Sequence, residues 1–225
     1  MVNVEKNWDN LSDKYFIDAD YSKFPFNLLS QFKGIKFLEA GSGDGEIAIF
    51  MNKNGNVVSG LEISNKFLNI STKKVKDLNL RNIEFMKGDV RKMPFKDKSF
   101  DVVFSGGVVE HFDETFESVK EHVRVLKKGG YLLIGVPCKE GLHYPLKKVM
   151  QIFGLWTIGF EKSYTKKFFK NQLINLNLEI VKQVNIPIEA TNNQSKIRFY
   201  ITYLISKIDK LIKGTHMMYF LCEKQ

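Results

Sequence analysis

Cysteine and long apolar runs are both scarce in this sequence. Its 225 residues include two cysteines, Cys138 and Cys222, whose separation matches no metal-binding spacing, so we expect neither a disulfide framework nor a zinc knuckle. No apolar run approaches the length that spans a bilayer. The charged residues Glu5, Lys6 and Asp9 do not fit the start of a signal peptide. These features predict a reduced, soluble, cytoplasmic protein.

Acidic residues are scarce in one part of the chain. Residues 139–215 contain 13 Lys and Arg against 5 Asp and Glu, whereas residues 1–138 contain 20 against 19. Nearly all of the net charge of +9 therefore lies after residue 138. Such an excess is typical of proteins that meet an acidic or phosphorylated partner, an anionic membrane or nucleic acid. A lysine-rich composition without any partner explains it equally well.

Apolar strand patterns alternate with helical patterns from residue 35 onward. Five strands are predicted in the first part of the chain, at 35–40, 57–62, 82–87, 100–105 and 131–136. Helices are predicted at 46–54, 66–78, 115–126 and 166–176, and two further strands at 178–184 and 217–222. This alternation predicts an α/β, Rossmann-like fold with a mostly parallel, seven-stranded sheet and helices on both faces.

The chain is interpreted as a single domain over residues 1–225. Within it we distinguish an N-terminal helical lead, a core, two inserts and a last strand, at 1–33, 34–138, 139–163, 187–215 and 216–225. In the lead, Trp8, Leu11 and Tyr15 fall at helical spacing, and residues 24–26 (Phe-Pro-Phe) are expected to interrupt the helix. The inserts combine aromatic, apolar and basic residues, and we expect them to form a helical cap for an acceptor.

A glycine-rich turn follows the first predicted strand. Glu39 lies near the end of that strand, and glycines follow at positions 41, 43 and 45 before a helical pattern begins. Because glycine has no Cβ, the backbone can turn tightly there and a ligand can approach it closely. A turn from a strand into a helix N-terminus is a nucleotide-binding feature of open α/β sheets. A dinucleotide fingerprint is disfavoured, because Glu46 occupies the position that requires glycine or alanine.

Four ordered motifs resemble those of the class I S-adenosylmethionine (SAM)-dependent methyltransferases. They are E-x-G-x-G-x-G at 39–45, the segment 57–62 that ends in Glu62, the Gly-Asp-Val of 88–90, and residues 105–111. Residues 34–137 as a whole are most similar to the small-molecule branch that includes the ubiquinone and menaquinone methyltransferases. The resemblance implies SAM as the cofactor and S-adenosylhomocysteine as its product. No paired acids at a metal-binding spacing are visible in the sequence, so no metal ion is predicted.

The resemblance also implies a set of cofactor contacts. Glu39 and the glycine turn would face the methionine part of SAM, and Asp89 would accept a hydrogen bond from the adenine amino group. Glu62 would accept hydrogen bonds from the ribose hydroxyls; the family more often has Asp there, and Glu reaches slightly further. The implied cofactor-binding residues are Tyr15, Glu39, Gly41, Ser42, Gly43, Glu62, Ile63, Asp89, Val90, Ser105 and Gly106.

Three side chains are candidates for catalysis. His111 is the first, since an imidazole with a pKa of about 6.5 can accept a proton from an acceptor hydroxyl or amine at neutral pH. The alternative is that His111 only orders the helix after it. His143 and Tyr144 are the others, because they lie on the loop that commonly covers the acceptor in this family. In-line methyl transfer asks little of side chains, so catalysis by proximity stays open.

The predicted reaction is transfer of a methyl group from SAM to an O, N or C atom of a small molecule. The aromatic and basic inserts favour an acceptor that is lipophilic or carries phosphate or sugar, with peripheral membrane contact as a further expectation. Two alternatives stay open: an RNA-directed methyltransferase, and a non-catalytic cofactor-binding protein. Nucleobase chemistry is disfavoured, because residues 105–111 contain neither an Asp/Asn-Pro-Pro-aromatic sequence nor a cysteine.

Overall fold

One sheet of seven strands organises the chain. The computed structural model describes residues 8–9, 23–154, 156, 159–187, 206–208, 211 and 214–225. The strands are β1 (Lys36–Ala40), β2 (Val57–Glu62), β3 (Ile83–Lys87), β4 (Phe100–Gly106), β5 (Leu126–Pro137), β6 (Leu178–Ile186) and β7 (Met217–Lys224). The helices are α1 (Lys23–Leu29), α2 (Glu46–Lys53), α3 (Asn65–Asp77), α4 (Thr115–Val125), α5 (His143–Ile152) and α6 (Lys166–Asn175), with a 3-10 turn at Val109–His111.

The strand order is β3-β2-β1-β4-β5-β7-β6. Strands β1 to β5 run parallel to one another, and β7 runs antiparallel between β5 and β6. The mostly parallel α/β sheet expected from the sequence is therefore confirmed. Strand order reverses at β1, whose neighbours are β2 and β4. In open α/β sheets, ligands bind at the carboxyl ends of the strands at such a switch point.

The sheet is buried on both faces, which explains its continuous apolar strands. Phe37 and Leu38 are neighbours on β1, and both are fully buried although successive side chains point to opposite faces. On one face Leu38 packs with residues of α4 and α6, including Val119 and Phe169. On the other face Phe37 packs with residues of α1 and α2, including Leu29. Each face thus has its own apolar core beneath helices.

Two local expectations were wrong. Residues 24–26 do not interrupt a helix, because Pro25 lies in the first turn of α1, where its missing N–H costs no hydrogen bond. Strand β5 begins at Leu126 and includes Gly129 and Gly130, whereas the sequence predicted a helix as far as residue 126 and a strand only from residue 131. Leu126 pairs with Phe100, and the register then shifts, so the two glycines lie in an irregular part of the strand.

The first insert is held in place by a buried lysine. Lys147 of α5 forms an ion pair with the Glu161 carboxylate and donates to the Glu161 carbonyl at 2.9 Å and to Ser163 Oγ at 3.1 Å. Most of the second insert and of the N-terminal lead lies outside the described residues, so the expected cap stays a prediction. Within the described part of the chain, every helix is too short or too polar to cross a membrane.

We predict a large difference between two glycine-to-alanine variants. Gly45, which precedes α2, and Gly55 both have positive φ, of 79° and 89°. A Cβ on Gly45 would lie 2.5 Å from Phe85 and 3.0 Å from Ser71, whereas a Cβ on Gly55 would meet nothing within 4 Å. Both variants should lose about 1–2 kcal/mol to backbone strain, and Gly45→Ala about 1–3 kcal/mol more. Urea unfolding measures this, and equal losses would contradict the packing described.

Candidate active site

The glycine turn after β1 forms one wall of a cleft at the switch point. Gly41 and Gly43 have positive φ, of 78° and 50°, and the backbone N–H of Gly41 donates to the Leu61 carbonyl of β2 at 2.8 Å. A Cβ on Gly41 would lie 2.5 Å from the Val108 side chain. Glycine at position 41 is thus required twice, by the backbone conformation and by the close approach of the segment after β4.

A buried carboxylate at the end of β2 joins two parts of this cleft. Glu62 is 5% exposed; its Oε2 accepts from the Gly43 backbone N–H at 2.7 Å, and its Oε1 accepts from that of Ser64 at 2.8 Å. Burial raises the pKa of Glu62, although these backbone donors oppose the rise. With backbone donors from Ser64, Gly43 and Ile63, the carboxylate keeps room for one further donor among its four lone-pair sites. Glu62 therefore lies on the cleft with capacity for a ligand hydroxyl.

Glu39 is directed toward α2. Its Oε2 accepts from the backbone N–H of Ala48 at 2.8 Å, and the side chain is 4% exposed. Burial raises the pKa of Glu39 well above the ordinary carboxyl value, with the Ala48 bond opposing the rise and Asp44 and Glu62 adding to it. The structure thus places Glu39 as a support of the glycine turn and α2, and its predicted contact with a ligand amine stays a prediction.

The segment after β3 supplies an apolar wall. Gly88 and Val90 line the cleft together with Ile63 and Phe67. Asp89 instead receives the Arg91 guanidinium, whose Nε lies 3.0 Å from both carboxylate oxygens and whose Nη2 lies 2.6 Å from Oδ2. Partial burial raises the pKa of Asp89, but the bonds and charge of Arg91 outweigh it and the pKa is lowered. A ligand amino group would have to share this carboxylate with Arg91.

Two buried serine hydroxyls flank the turn and the end of β4. Ser42 is 4% exposed and Ser105 is 1% exposed, and neither hydroxyl has a hydrogen-bond partner among the described residues. Gly106, which follows Ser105, lines the cleft. Buried polar groups are normally satisfied, so these two hydroxyls are exceptions, and neither serine lines the cleft.

Several lining residues were not singled out from the sequence. Gly107, Val108 and Phe112 lie along the cleft on the segment after β4, and Trp8 of the N-terminal lead lies over it. The lead is attached there by Asp9, whose carboxylate accepts from Ser64 Oγ at 2.5 Å. In the sequence, Gly107 and Val108 lie within the fourth motif and Phe112 directly follows it. Trp8 was noted only because it falls at helical spacing in the lead. Tyr15 lies outside the described residues, so its predicted contact stays a prediction.

His111 does not itself line the cleft, but it contacts Trp8 and precedes Phe112, which both do. It is 8% exposed, its Nδ1 lies 2.8 Å from the Phe160 carbonyl, and its ring centroid lies 5.0 Å from that of Trp8. A carbonyl can only accept, so Nδ1 carries the proton and Nε2 is left as an acceptor. Burial lowers the pKa of His111 below 6.5, although the Phe160 bond and Glu161 oppose this. The imidazole is therefore neutral at neutral pH and able to accept a proton.

A second acid accompanies His111. Glu110 is 1% exposed, and its Oε1 lies 4.0 Å from the Nε2 of His111, which is too long for a hydrogen bond. Its Oε2 has no partner within the described chain. Burial, followed by the nearby charge of Glu161, raises the pKa of Glu110 well above the ordinary carboxyl value. The pair of adjacent residues was visible in the sequence, but the burial of Glu110 was not.

His143 and Tyr144 diverge. His143 is 8% exposed, and its ring centroid lies 3.8 Å from that of His216 and 6.1 Å from that of Trp156. Burial, with a smaller effect of Lys147, lowers its pKa to about 4. Tyr144 instead faces a separate hollow on the surface. Adjacent residues on a helix point about 100° apart, so the two side chains face different surroundings and neither lines the cleft; their predicted catalytic role stays a prediction.

Metal ligands do not cluster in the described residues. No group of three or more His, Cys, Asp and Glu side chains within them is arranged to hold an ion. Cys138 and Cys222 are both buried and free, and burial raises the pKa of each thiol, to about 12 for Cys222. These thiols are therefore protonated at neutral pH.

The segment that forms the cleft is similar to segments of known proteins. A family model described as a methyltransferase domain matches residues 38–134, the span that contains the whole cleft apart from Trp8. Demethylmenaquinone methyltransferase of Chlorobaculum tepidum is 41% identical over 103 residues, which cover 45% of this chain and 40% of that protein. The chain thus matches less than half the length of that relative.

Two further proteins extend the comparison. Demethylmenaquinone methyltransferase of Listeria welshimeri is 27% identical over 173 residues, covering 72% of each chain. A geranyl diphosphate methyltransferase, solved in complex with SAM, superimposes with a TM-score of 0.71 at 14% identity, covering 92% of this chain and 85% of that one. The identity with this last protein supports the fold alone. The sheet therefore has the fold of that solved methyltransferase, and residues 38–134, which form most of the cleft, are similar to a methyltransferase domain.

Proposed function

We propose that this protein is an enzyme that transfers a methyl group from SAM to a small, lipophilic acceptor. The observation that carries the proposal is that four separate segments meet at one cleft. The glycine turn, the end of β2, the segment after β3 and the segment after β4 all contribute lining residues. The relatives named above are called demethylmenaquinone methyltransferases, which supports an acceptor of the hydroxylated quinone type.

The residues of the cleft fit the parts of SAM. Glu62 offers its remaining carboxylate lone pair to a ribose hydroxyl, and the bare backbone of Gly41 and Gly43 leaves room for the methionine part. Ile63, Phe67 and Val90 form an apolar wall that suits a flat base. The polar backbone of Gly106 suits the charged amino acid end.

The reaction asks mainly for positioning. When bound, SAM supplies a methyl group already activated by a sulfonium centre. The chain's contribution is to hold the acceptor in line and exclude water, which can lower the barrier by up to about 7–11 kcal/mol in favourable cases. His111 would accept the proton of an acceptor hydroxyl at Nε2, since its Nδ1 is held by the Phe160 carbonyl. Trp8 and Phe112 would shield the site from water.

Cofactor binding is the first test. We expect S-adenosylhomocysteine to bind in calorimetry and to stabilise the fold by about 2.7 kcal/mol when present at a hundred times its Kd, because it binds only the folded state. NAD serves as the control, since Glu46 interrupts a dinucleotide fingerprint. Binding of NAD without binding of SAM or S-adenosylhomocysteine would refute the proposal. Radiolabelled methyl transfer to quinone, RNA and metabolite extracts then identifies the acceptor class, and transfer to RNA alone would favour the RNA-directed alternative.

Removal of the Glu62 carboxylate should have two effects. Glu62→Ala should weaken S-adenosylhomocysteine binding by about 1.5–3 kcal/mol through the lost ribose hydrogen bond. It should also lower the free energy of unfolding, because the Gly43 and Ser64 N–H groups lose their acceptor. The matched control is Glu46→Ala, which removes an exposed carboxylate beside the same turn. Calorimetry and urea unfolding give the two values, and unchanged affinity in folded Glu62→Ala would mean that Glu62 does not hold the ribose.

Substitution of His111 should affect turnover rather than cofactor affinity. If His111 is the base, His111→Ala should lower kcat by about 10²–10⁴-fold. Because burial lowers the pKa of His111, the parent enzyme should keep its activity as the pH falls to 6.5 and lose it only below that value. The control variant is His122→Ala, which removes another buried histidine whose Nδ1 lies against a backbone carbonyl, that of Ser118. It reports the effect of losing such a histidine away from the cleft. A loss of less than about tenfold in His111→Ala would favour a structural role.

A further inference from the structure

A second concave site lies outside the cofactor cleft. It is a hollow of about 600 Å³ between α5, the start of α6 and residues 160–165. It shares no lining residue with the cleft. The 3-10 turn separates the two, because the Lys162 backbone N–H donates to the Glu110 carbonyl at 3.0 Å and the Phe160 carbonyl faces His111. A ligand in the hollow therefore needs no contact with SAM.

The hollow carries uncompensated positive charge. Lys139 and Lys148 line it, and neither forms an ion pair with any described residue. Each ammonium lies 5.7 Å from the centroid of the same ring, that of Tyr144, so the two charges are at most twice that distance apart. The carboxylate in the lining, that of Glu161, is already neutralised by Lys147. Two ammonium groups beside one ring, without ion pairs to the described residues, make the hollow attractive to an anion.

A third lysine at the rim is engaged. Lys162 donates from Nζ to the Asp113 carbonyl at 2.6 Å and lies 3.7 Å from the Asp113 carboxylate. Lysine binds phosphate as a compact point charge with three donors. The anion subsite is therefore defined by Lys139, Lys148 and the ring of Tyr144, with Lys162 contributing only from its edge.

The rest of the hollow is apolar. Phe160 and Phe168 line it and are 39% and 47% exposed, and the Phe168 ring is nearly parallel to that of Tyr164. The helix that carries Tyr144 and Lys148 ends in Ile152, with Phe153 next to it, and these are 79% and 72% exposed. Exposed aromatic and aliphatic side chains beside unpaired lysines match a ligand with one charged end and one apolar body.

We propose that this hollow binds a phosphate-bearing amphiphile, with the phosphate held by Lys139 and Lys148 and the apolar body against Phe160 and Phe168. A phosphate monoester carries nearly two negative charges at neutral pH, which would balance the charges of the two unpaired ammonium groups. The ligand can come from two sources: a free phosphorylated metabolite or the headgroup of a membrane lipid. The site is independent of the proposed methyl transfer.

The test uses decyl phosphate below its micelle concentration, with decyl maltoside as the uncharged probe, in calorimetry at physiological salt. The parent protein should bind decyl phosphate at least about tenfold more tightly than decyl maltoside. The double variant K139Q/K148Q should lose about tenfold or more in affinity, since two charged contacts disappear. The matched control K170Q/K182Q removes the same charge from two exposed lysines elsewhere, and it should bind like the parent.

The source of the ligand is read from vesicles. Co-sedimentation with phosphatidic acid vesicles that K139Q/K148Q abolishes assigns a membrane lipid, whereas binding of decyl phosphate without vesicle binding assigns a free metabolite. Equal affinity of the two double variants for decyl phosphate would overturn the site, because the attraction would then be diffuse charge. Tighter binding of single-stranded oligouridine than of decyl phosphate would also overturn it. Melting temperature reports whether each variant folds. SAM binding is measured separately, so a protein that binds SAM but not decyl phosphate would refute the hollow and leave the proposed function standing.

Discussion

The Glu62 carboxylate is the interaction on which the candidate active site depends. One group accepts from the glycine turn at Gly43 and from Ser64, the residue that caps α3, and so fixes two segments that follow different strands. Burial of a carboxylate is costly unless donors satisfy it, and here the backbone supplies them. The geometry of the cleft is thus set before any ligand arrives, which is the condition for binding without a large reorganisation.

Other buried charges in the chain follow the same rule with different partners. Glu39 is satisfied in part by α2, and Lys147 by Glu161 and Ser163. A buried pair of this kind contributes little net stability, but loss of one partner leaves an uncompensated charge. The Lys147 pair therefore sets the position of α5 rather than adding to its stability. Lys147 is thus buried in an ion pair, whereas Lys139 and Lys148 lie at the surface without an ion pair to any described residue.

Much of the fold could be predicted because the strands buried on both faces are continuous apolar runs. Strand β2 was predicted with its observed bounds, and β1 to within one residue. The start of β5 could not be predicted, since the pairing of Leu126 with Phe100 is a long-range contact and the two glycines that follow resemble a helix end. The glycine-rich turn after β1 indicated where the cleft lies, because the carboxyl ends of parallel strands meet at one edge of the sheet and ligands bind there.

The directions of individual side chains were less predictable. Asp89 sits where the motif places it, but Arg91 occupies its oxygens, and the competition between a guanidinium and a ligand is not encoded in motif spacing. His143 and Tyr144 are adjacent in sequence and were treated together, whereas the helix that contains them turns one inward and the other to the surface. Motifs therefore locate backbone well, while side-chain partners depend on neighbours contributed by distant segments.

The position of β7 has a consequence for how the chain assembles. Strand β6 precedes β7 in sequence, and among the described strands it pairs with β7 alone, which in turn pairs with β5. Contacts such as that of Tyr131 with Glu223 close a loop of 92 residues, and such closures are slow because their entropic cost is met before the contact forms. Residues 178–186 are therefore synthesised before residues 217–224, the strand with which they pair. This interval is when the chain is most exposed to misassociation with other strands during synthesis.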